Sequence, residues 1–287
     1  MKKIAVITDS EAGFSEEELV EGLFVVKMPF IIDGEEYYEG VNINCDQFYQ
    51  ILQSERKIST SQPSYDDVTS VWKKALEAYD EIVYIPMSSS LSNSCNAATT
   101  YAETEFQGKV FVVDNKRISV TQKTSVYEAL ELAKNGKSAK EIKDFLEKTL
   151  TDNSIYITIP TLKYLKRGGR VTPAAAALGT LLQIKPILQI QGGKLDTFAK
   201  VMNLGQARQK MINAIKKDIE TRFQDLLSQK KLVLAVAHTH NIEMANKFKE
   251  EVAKAIPEIP IAYVDELSLS VACHIGPGSL AIALSRI

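Results

Sequence analysis

Apolar positions in the first half of the chain follow two alternating rhythms. The runs Ile4 to Thr8, Val25 to Ile32, Ile82 to Ile85 and Val110 to Val113 are short, rich in β-branched residues and bounded by polar ones, which predicts strands. Between them, Val68, Val71, Trp72, Ala75 and Leu76 recur at helical spacing within Ser64 to Ala78, and Ser92 to Ala102 and Thr121 to Ala133 read as further helices. Gly34, flanked by Glu35, Glu36, Tyr37 and Tyr38, predicts a hairpin from Phe30 to Gly40, and Asn44 is a good N-cap for a short helix from Cys45 to Leu52. Alternation of this kind predicts a parallel, doubly wound sheet whose ligand-bearing loops leave the strand C-termini.

The rhythm changes near Asn153. Ser154 to Ile159 reads as a strand, followed by a basic loop, an alanine-rich helix and two apolar runs that meet at Gly192 and Gly193 as a hairpin. Leu204 to Leu227 and Met244 to Ala255 are periodic as helices, and Leu232 to Ala237, Ile261 to Val264 and Leu280 to Leu284 as strands. The expected fold is therefore α/β in two domains: residues 1–152 around a parallel doubly wound sheet, and residues 153–287 as an α/β domain with a mixed sheet. A length of 287 residues suits two domains of roughly 150.

Composition narrows the class without naming a chemistry. With 45% hydrophobic and 24% charged residues and a formal charge of −2, the chain reads as globular and soluble, and a near-neutral total argues against coating nucleic acid. The total conceals an asymmetry: residues 1–60 hold twelve acids and five bases, residues 155–210 one acid and nine bases. Lys163, Lys166, Arg167 and Arg170 fall within eight residues around Gly168 and Gly169, which implies a mobile basic loop, either a solvated face or a contact for an anion or acidic partner. The three cysteines, Cys45, Cys95 and Cys273, stand far apart, which excludes a disulfide framework and suits a reduced, cytoplasmic setting. The apolar stretch Ile4 to Ile7 is too short for a secretory signal, and Val171 to Ile190 is too interrupted to span lipid.

Candidate chemistry concentrates in hydroxyl-rich loops. Thr8-Asp9-Ser10, Ser59 to Ser64 and Ser88 to Ser94 each flank an element. A single serine ahead of a helix is by default an N-cap, but loops after Ile4 to Thr8 and after Ile82 to Ile85 would open on the same sheet edge, where hydroxyls and helix N–H groups can surround one anion. His274-Ile-Gly-Pro-Gly278 adds a histidine on a glycine-proline turn, able to donate to a carboxylate. His238 and His240 share a strand face by alternation, yet no partner stands at ligand spacing, so a structural role is expected and no metal site. Phosphate-loop, H-E-x-x-H and G-x-S-x-G motifs are absent, and the G-x-G-x-x-A match at Gly276 lies too close to Ile287 for a dinucleotide fold, so no cofactor is expected.

Five ordered motifs carry a family resemblance: Ile7-Thr-Asp-Ser10, Thr60-Ser-Gln-Pro-Ser64, Ser88-Ser-Ser-Leu-Ser92, Tyr164-Leu-Lys-Arg-Gly-Gly-Arg170 and His274-Ile-Gly-Pro-Gly278. From residue 4 to about 284 the chain resembles the DegV family of bacterial fatty-acid-binding proteins, which includes the binding subunits of fatty acid kinase. The resemblance implies a long-chain fatty acid lodged between and within two α/β domains, its tail mostly in the second. Thr60 and Ser92 would then bind the carboxylate directly, with Ser61 and His274 completing the network, Arg170 at the entrance, and Asp9, Ser10, Gly276 and Gly278 supporting the loops. Lys163, Lys166, Arg167 and Arg170 would meet a separate ATP-dependent kinase. The expected role is a non-catalytic carrier that presents the carboxylate to that kinase, passes acyl phosphate to phospholipid synthesis and touches the membrane transiently for lipid exchange. The alternative is an acyl-ester or thioester hydrolase with Ser92 as nucleophile and His274 as base, which lacks an evident third member. The chain departs from the family pattern at Asn93-Ser-Cys-Asn96, where Gly-Thr-Tyr-Gln is common, and at Ile275, where Thr is frequent.

Overall fold

A computed structural model describes the chain except residues 1, 55, 169, 171 and 174–183 and the side chains of residues 166–168. It divides into two compact units, Met1–Cys45 with Lys57–Leu150, and Asp46–Arg56 with Thr151–Ile287.

The first unit is built on four parallel strands in the order β2-β1-β6-β7: β1 (Ile4–Asp9), β2 (Leu23–Val26), β6 (Glu81–Ile85) and β7 (Val110–Val112). Strand alternation sorts the core into two layers. Ala5, Ile7 and Tyr84 face Val68, Trp72 and Ala75 of α2 (Tyr65–Leu76) and Ala98 and Ala102 of α3 (Ser94–Glu105). Val6, Val83 and Ile85 face Val126 and Ala129 of α4 (Val120–Lys134) and Ile142 and Leu146 of α5 (Ala139–Lys148). Helices on both faces make the sheet doubly wound, as the alternation predicts. A separate antiparallel sheet, β4-β3-β5, joins β3 (Pro29–Ile32), β4 (Glu35–Tyr38) and β5 (Ile58–Thr60). Its β3–β4 hairpin turns through Asp33 and Gly34, both at positive φ.

The single strand expected from Val25 to Ile32 is instead two, β2 and β3, in different sheets. Proline lacks an N–H for a ladder and so begins β3, while the Ser10 hydroxyl accepts from the Met28 amide at 2.9 Å. The third helix starts at Ser94 rather than Ser92. Helix α5, unforeseen, carries a full capping box: Ser138 accepts from the Glu141 amide and Glu141 from the Ser138 amide.

The second unit holds a mixed sheet in the order β10-β9-β8-β13-β11-β12. Its strands are β8 (Asn153–Thr158), β9 (Lys185–Ile190), β10 (Asp196–Val201), β11 (Leu232–His238), β12 (Ile261–Glu266) and β13 (Leu280–Arg286), of which only the β11–β12 pair is parallel. The hairpin expected at Gly192 and Gly193 is β9–β10. One sheet face, with Leu234, Val236, Leu280, Ile282 and Leu284, packs on Met211, Ile215 and Ile219 of α7 (Leu204–Arg222) and Phe248 and Val252 of α9 (Ile242–Ala255). The helix expected to run to Leu227 breaks at Phe223, and α8 (Gln224–Ser228) follows separately. Two further expectations are corrected. The basic stretch is not a loop throughout: it opens as helix α6 (Lys163–Gly168), whose first amide donates to the Thr161 hydroxyl at 3.1 Å. His274 is not on a turn but in the last turn of a seven-residue helix, α10 (Leu269–Ile275), started by the Ser268 hydroxyl and ended by Gly276 at φ 76°. The alanine-rich segment lies outside the described residues. Among the described residues no helix is long and apolar enough to cross a membrane.

Candidate functional site

In the first unit the hydroxyl loops gather at the C-terminal edge of the parallel sheet. Asp9 ends β1, and the segment Met87–Asn93 leaves the adjacent β6. Asp9 is fully buried, and three donors converge on it: Met87 N at 2.7 Å, Gln122 Nε2 at 2.9 Å and Glu11 N at 3.2 Å. Burial raises its pKa to about 6 against the pull of those donors. Gln122, from α4, also donates to Thr8 Oγ1 and to the Ile85 carbonyl, so one buried amide ties β1 and β6 together where their loops diverge.

The serine segment is held a second time. Ser89 Oγ donates to Asp114 Oδ2 at 2.7 Å, the Ser89 amide to Asp114 Oδ1 at 3.2 Å, and the Ser88 amide to the Arg117 carbonyl at 2.9 Å. Lys116 closes this cluster against both Ser89 and Asp114. Ser92, half-buried, accepts from the Ser94 amide at 3.2 Å and so caps α3 from one residue before the formal N-cap, Asn93. Thr60 ends β5 opposite Phe30, and the Ser61 amide donates to the Pro29 carbonyl at 3.3 Å. Because Ser10 holds Met28, next to Pro29, the Thr8-Asp9-Ser10 corner supports both hydroxyl loops: Asp9 through Met87, Ser10 through Met28. The two loops also meet directly, where Asn93 Nδ2 donates to Gln62 Oε1 at 3.4 Å.

In the second unit two other motifs come together. The Tyr164 ring of α6 lies over Gly276, so a Cβ there would overlap the ring, and φ of 76° disfavours a side chain besides. Gly278, at φ 80°, passes Pro160 closely. His274 is half-buried, and burial, followed by the positive charge of Arg170, lowers its pKa to about 4, so the imidazole is neutral at pH 7. Arg170 is half-buried and Lys163 exposed, its ammonium 5.8 Å from the Tyr164 ring centre. Lys166 and Arg167 lie on α6 with their side chains outside the description.

The histidines that alternation placed on one strand face are not so placed. His238 ends β11, buried, with Nδ1 accepting from the Asn241 amide, and burial lowers its pKa. His240 lies beyond the strand at φ 49°, its ring stacked on Tyr49. Sequence reasoning missed Gln122, Asp114 and Thr239, which reach Asp9, Ser89 and Ser279 across 113, 25 and 40 positions. No local pattern marks them.

The DegV family profile, described as "Uncharacterised protein, DegV family", matches residues 3–286. The chain belongs to the DegV family. A DegV domain-containing protein of Clostridium acetobutylicum is 30% identical over the full length of both chains, and one of Clostridium perfringens 28% identical over 98% of this chain and 97% of its own. Among solved structures, a fatty-acid-binding DegV family protein from Streptococcus agalactiae superposes with a TM-score of 0.87 at 25% identity, covering all of both chains. A DegV family protein from Thermus thermophilus, whose fatty acid binding is described, reaches 0.87 at 27% identity over 99% of this chain and 100% of that one. DegV relatives with this fold thus include fatty-acid-binding proteins, and the hydrolase alternative is not favoured.

Proposed function

We propose that this chain binds a long-chain fatty acid, holds its carboxylate with Thr60 and Ser92, aided by Ser61, His274 and Arg170, and presents it to a separate ATP-dependent fatty acid kinase. The acyl phosphate then passes to phospholipid synthesis. The observation that carries this reading is the joining of the Thr60–Gln62 and Ser92–Asn93 loops at one sheet edge, above a corner built by Asp9 and Ser10.

Energetics support dividing the work between the two units. Burying about fourteen methylenes at roughly 0.8 kcal/mol each gives about 11 kcal/mol of gross transfer energy, so the tail supplies the affinity. On the sheet face of the second unit opposite α7 and α9, Ala235 pairs with Ala283 and Ala237 with Ala281, beside Ile155, Ile157 and Leu188, and all of these apolar side chains are buried. The carboxylate is costly to desolvate unless donors replace its water, so the head group fixes orientation. Hydroxyl donors hold one oxygen and leave the other open to phosphoryl transfer, whereas a bidentate arginine would cover both. A neutral His274 donates without neutralising the nucleophile, and the charge of an acyl phosphate then favours its protonation beside Arg170. The basic stretch Lys163, Lys166, Arg167 and Arg170 is the proposed kinase contact. Access to the tail is through transient contact with a membrane surface.

Denaturing extraction of the purified chain followed by mass spectrometry tests the ligand class. A long-chain fatty acid should be recovered in near-stoichiometric amount; a chain consistently empty after growth in lipid-replete cells contradicts it. A fluorophosphonate probe should leave Ser92 unlabelled.

A further inference from the structure

We propose that Thr239 is the positioning residue for His274: its buried hydroxyl fixes the Gly276–Ser279 turn and thereby sets where the imidazole stands. This rests on the reading of His274 as a head-group partner.

Thr239 is the first residue past β11 and is fully buried. Every polar group it carries is spent on the turn that follows His274. Its Oγ1 donates to the Gly276 carbonyl at 2.6 Å and accepts from the Ser279 amide at 2.9 Å. Its carbonyl accepts from the Gly278 amide at 2.7 Å, and its amide donates to the Ser279 carbonyl at 3.1 Å. Ser279 Oγ reinforces the same corner, donating to the Ile275 carbonyl at 3.2 Å and approaching that of Gly276 at 3.3 Å. The Gly276 amide is committed to Ala272 inside α10, so the helix end and the turn share one pivot, two residues from His274. Tyr164 covers that pivot from α6.

The chemistry demands a hydroxyl here. Only a group that donates and accepts at once can serve a carbonyl and an amide together. Serine retains both functions; valine has the shape of threonine and neither function. The β-branch also limits χ1, which keeps the hydroxyl aimed at the turn. Without it, the Gly276 carbonyl and the Ser279 amide lose buried partners, the end of α10 loosens and water reaches the imidazole.

The test compares Thr239→Val with Thr239→Ser in the full chain. The first readout is the titration of His274 by NMR in the ligand-free protein, its resonance assigned by loss in His274→Gln; the second is palmitate affinity. Thr239→Val should move the His274 midpoint up from about 4 by one unit or more and weaken palmitate binding about tenfold, while Thr239→Ser keeps both near the parent values. If Thr239→Val does not fold, Thr239→Cys, a weaker donor and acceptor, should shift the midpoint in the same direction by a smaller amount. An unshifted midpoint in a folded Val or Cys variant overturns the proposal, as does a Ser variant as displaced as Val. A parent that never binds palmitate refutes the fatty-acid reading instead, and the titration still decides whether Thr239 controls His274.

Discussion

The Asp9 carboxylate accepts a 2.7 Å hydrogen bond from the Met87 amide, 78 residues away, and so fixes the start of the serine segment to the end of the first strand. Asp9→Ala removes an acceptor from three buried donors, of which Gln122 keeps Thr8 and Ile85, and should lower the unfolding free energy by about 3 kcal/mol in urea titrations. A loss below about 1 kcal/mol would show that the corner does not depend on this carboxylate.

Asp9 and His274 give opposite dependences on pH. The His274 pKa, lowered from 6.5 to about 4, means that the unfolded chain takes up the proton first, so stability from this group is full above 6.5 and falls as pH drops toward 4, by about 3 kcal/mol. The Asp9 pKa, raised from 3.8 to about 6, means that the folded chain takes up the proton first, so its contribution is greatest below 3.8 and declines by about 3 kcal/mol as pH rises through 6. Relative to the parent, His274→Gln should therefore gain stability as pH falls from 6.5 to 4, and Asp9→Ala should lose it between 6 and 4. Denaturation midpoints across that range read both signs.

Gly276 offers a separate test of the second unit. Gly276→Ala meets the Tyr164 ring and a φ of 76°, and should destabilise by about 2 kcal/mol or more. Adding Tyr164→Ala removes the overlap but not the backbone strain, so the double variant should recover part of what the combined single losses predict. Strict additivity would mean that the ring and the turn do not interact.

Much of this architecture was legible in the sequence, and the gaps have physical causes. The parallel strands are buried on both faces and read as continuous apolar runs, and helices α2 and α9 carry a clear period; both signals are local. Helix α10 is only seven residues long, too short for its period to stand out, so His274 looked like a turn residue. The end of β5, Ser59-Thr60, is hydroxylic because it leads into the loop, which hid a strand that pairing with β3 defines. Ser138-x-x-Glu141 carries the capping-box signal for α5 within the sequence itself. Gln122 on Asp9 across 113 positions and Thr239 on Ser279 across 40 are contacts that no periodicity encodes.

Thr60 and Ser92 sit at element ends, both half-buried, so their truncation should spare the fold and weaken the head-group grip. Thr60→Ala and Ser92→Ala should each reduce fatty-acid affinity by about tenfold while unfolding free energies stay within about 1 kcal/mol of the parent. Calorimetry with palmitate and a urea titration on the same samples separate the two effects. Equal losses of stability and affinity would make these hydroxyls structural.

The most direct measurement is the carbon NMR spectrum of carboxyl-labelled palmitate added to the full chain. A fatty acid gripped by hydroxyls should give one sharp bound carboxyl resonance, distinct from free palmitate, that moves in Thr60→Ala and again in Ser92→Ala. A bound resonance indifferent to both substitutions, or none at all, would contradict the account.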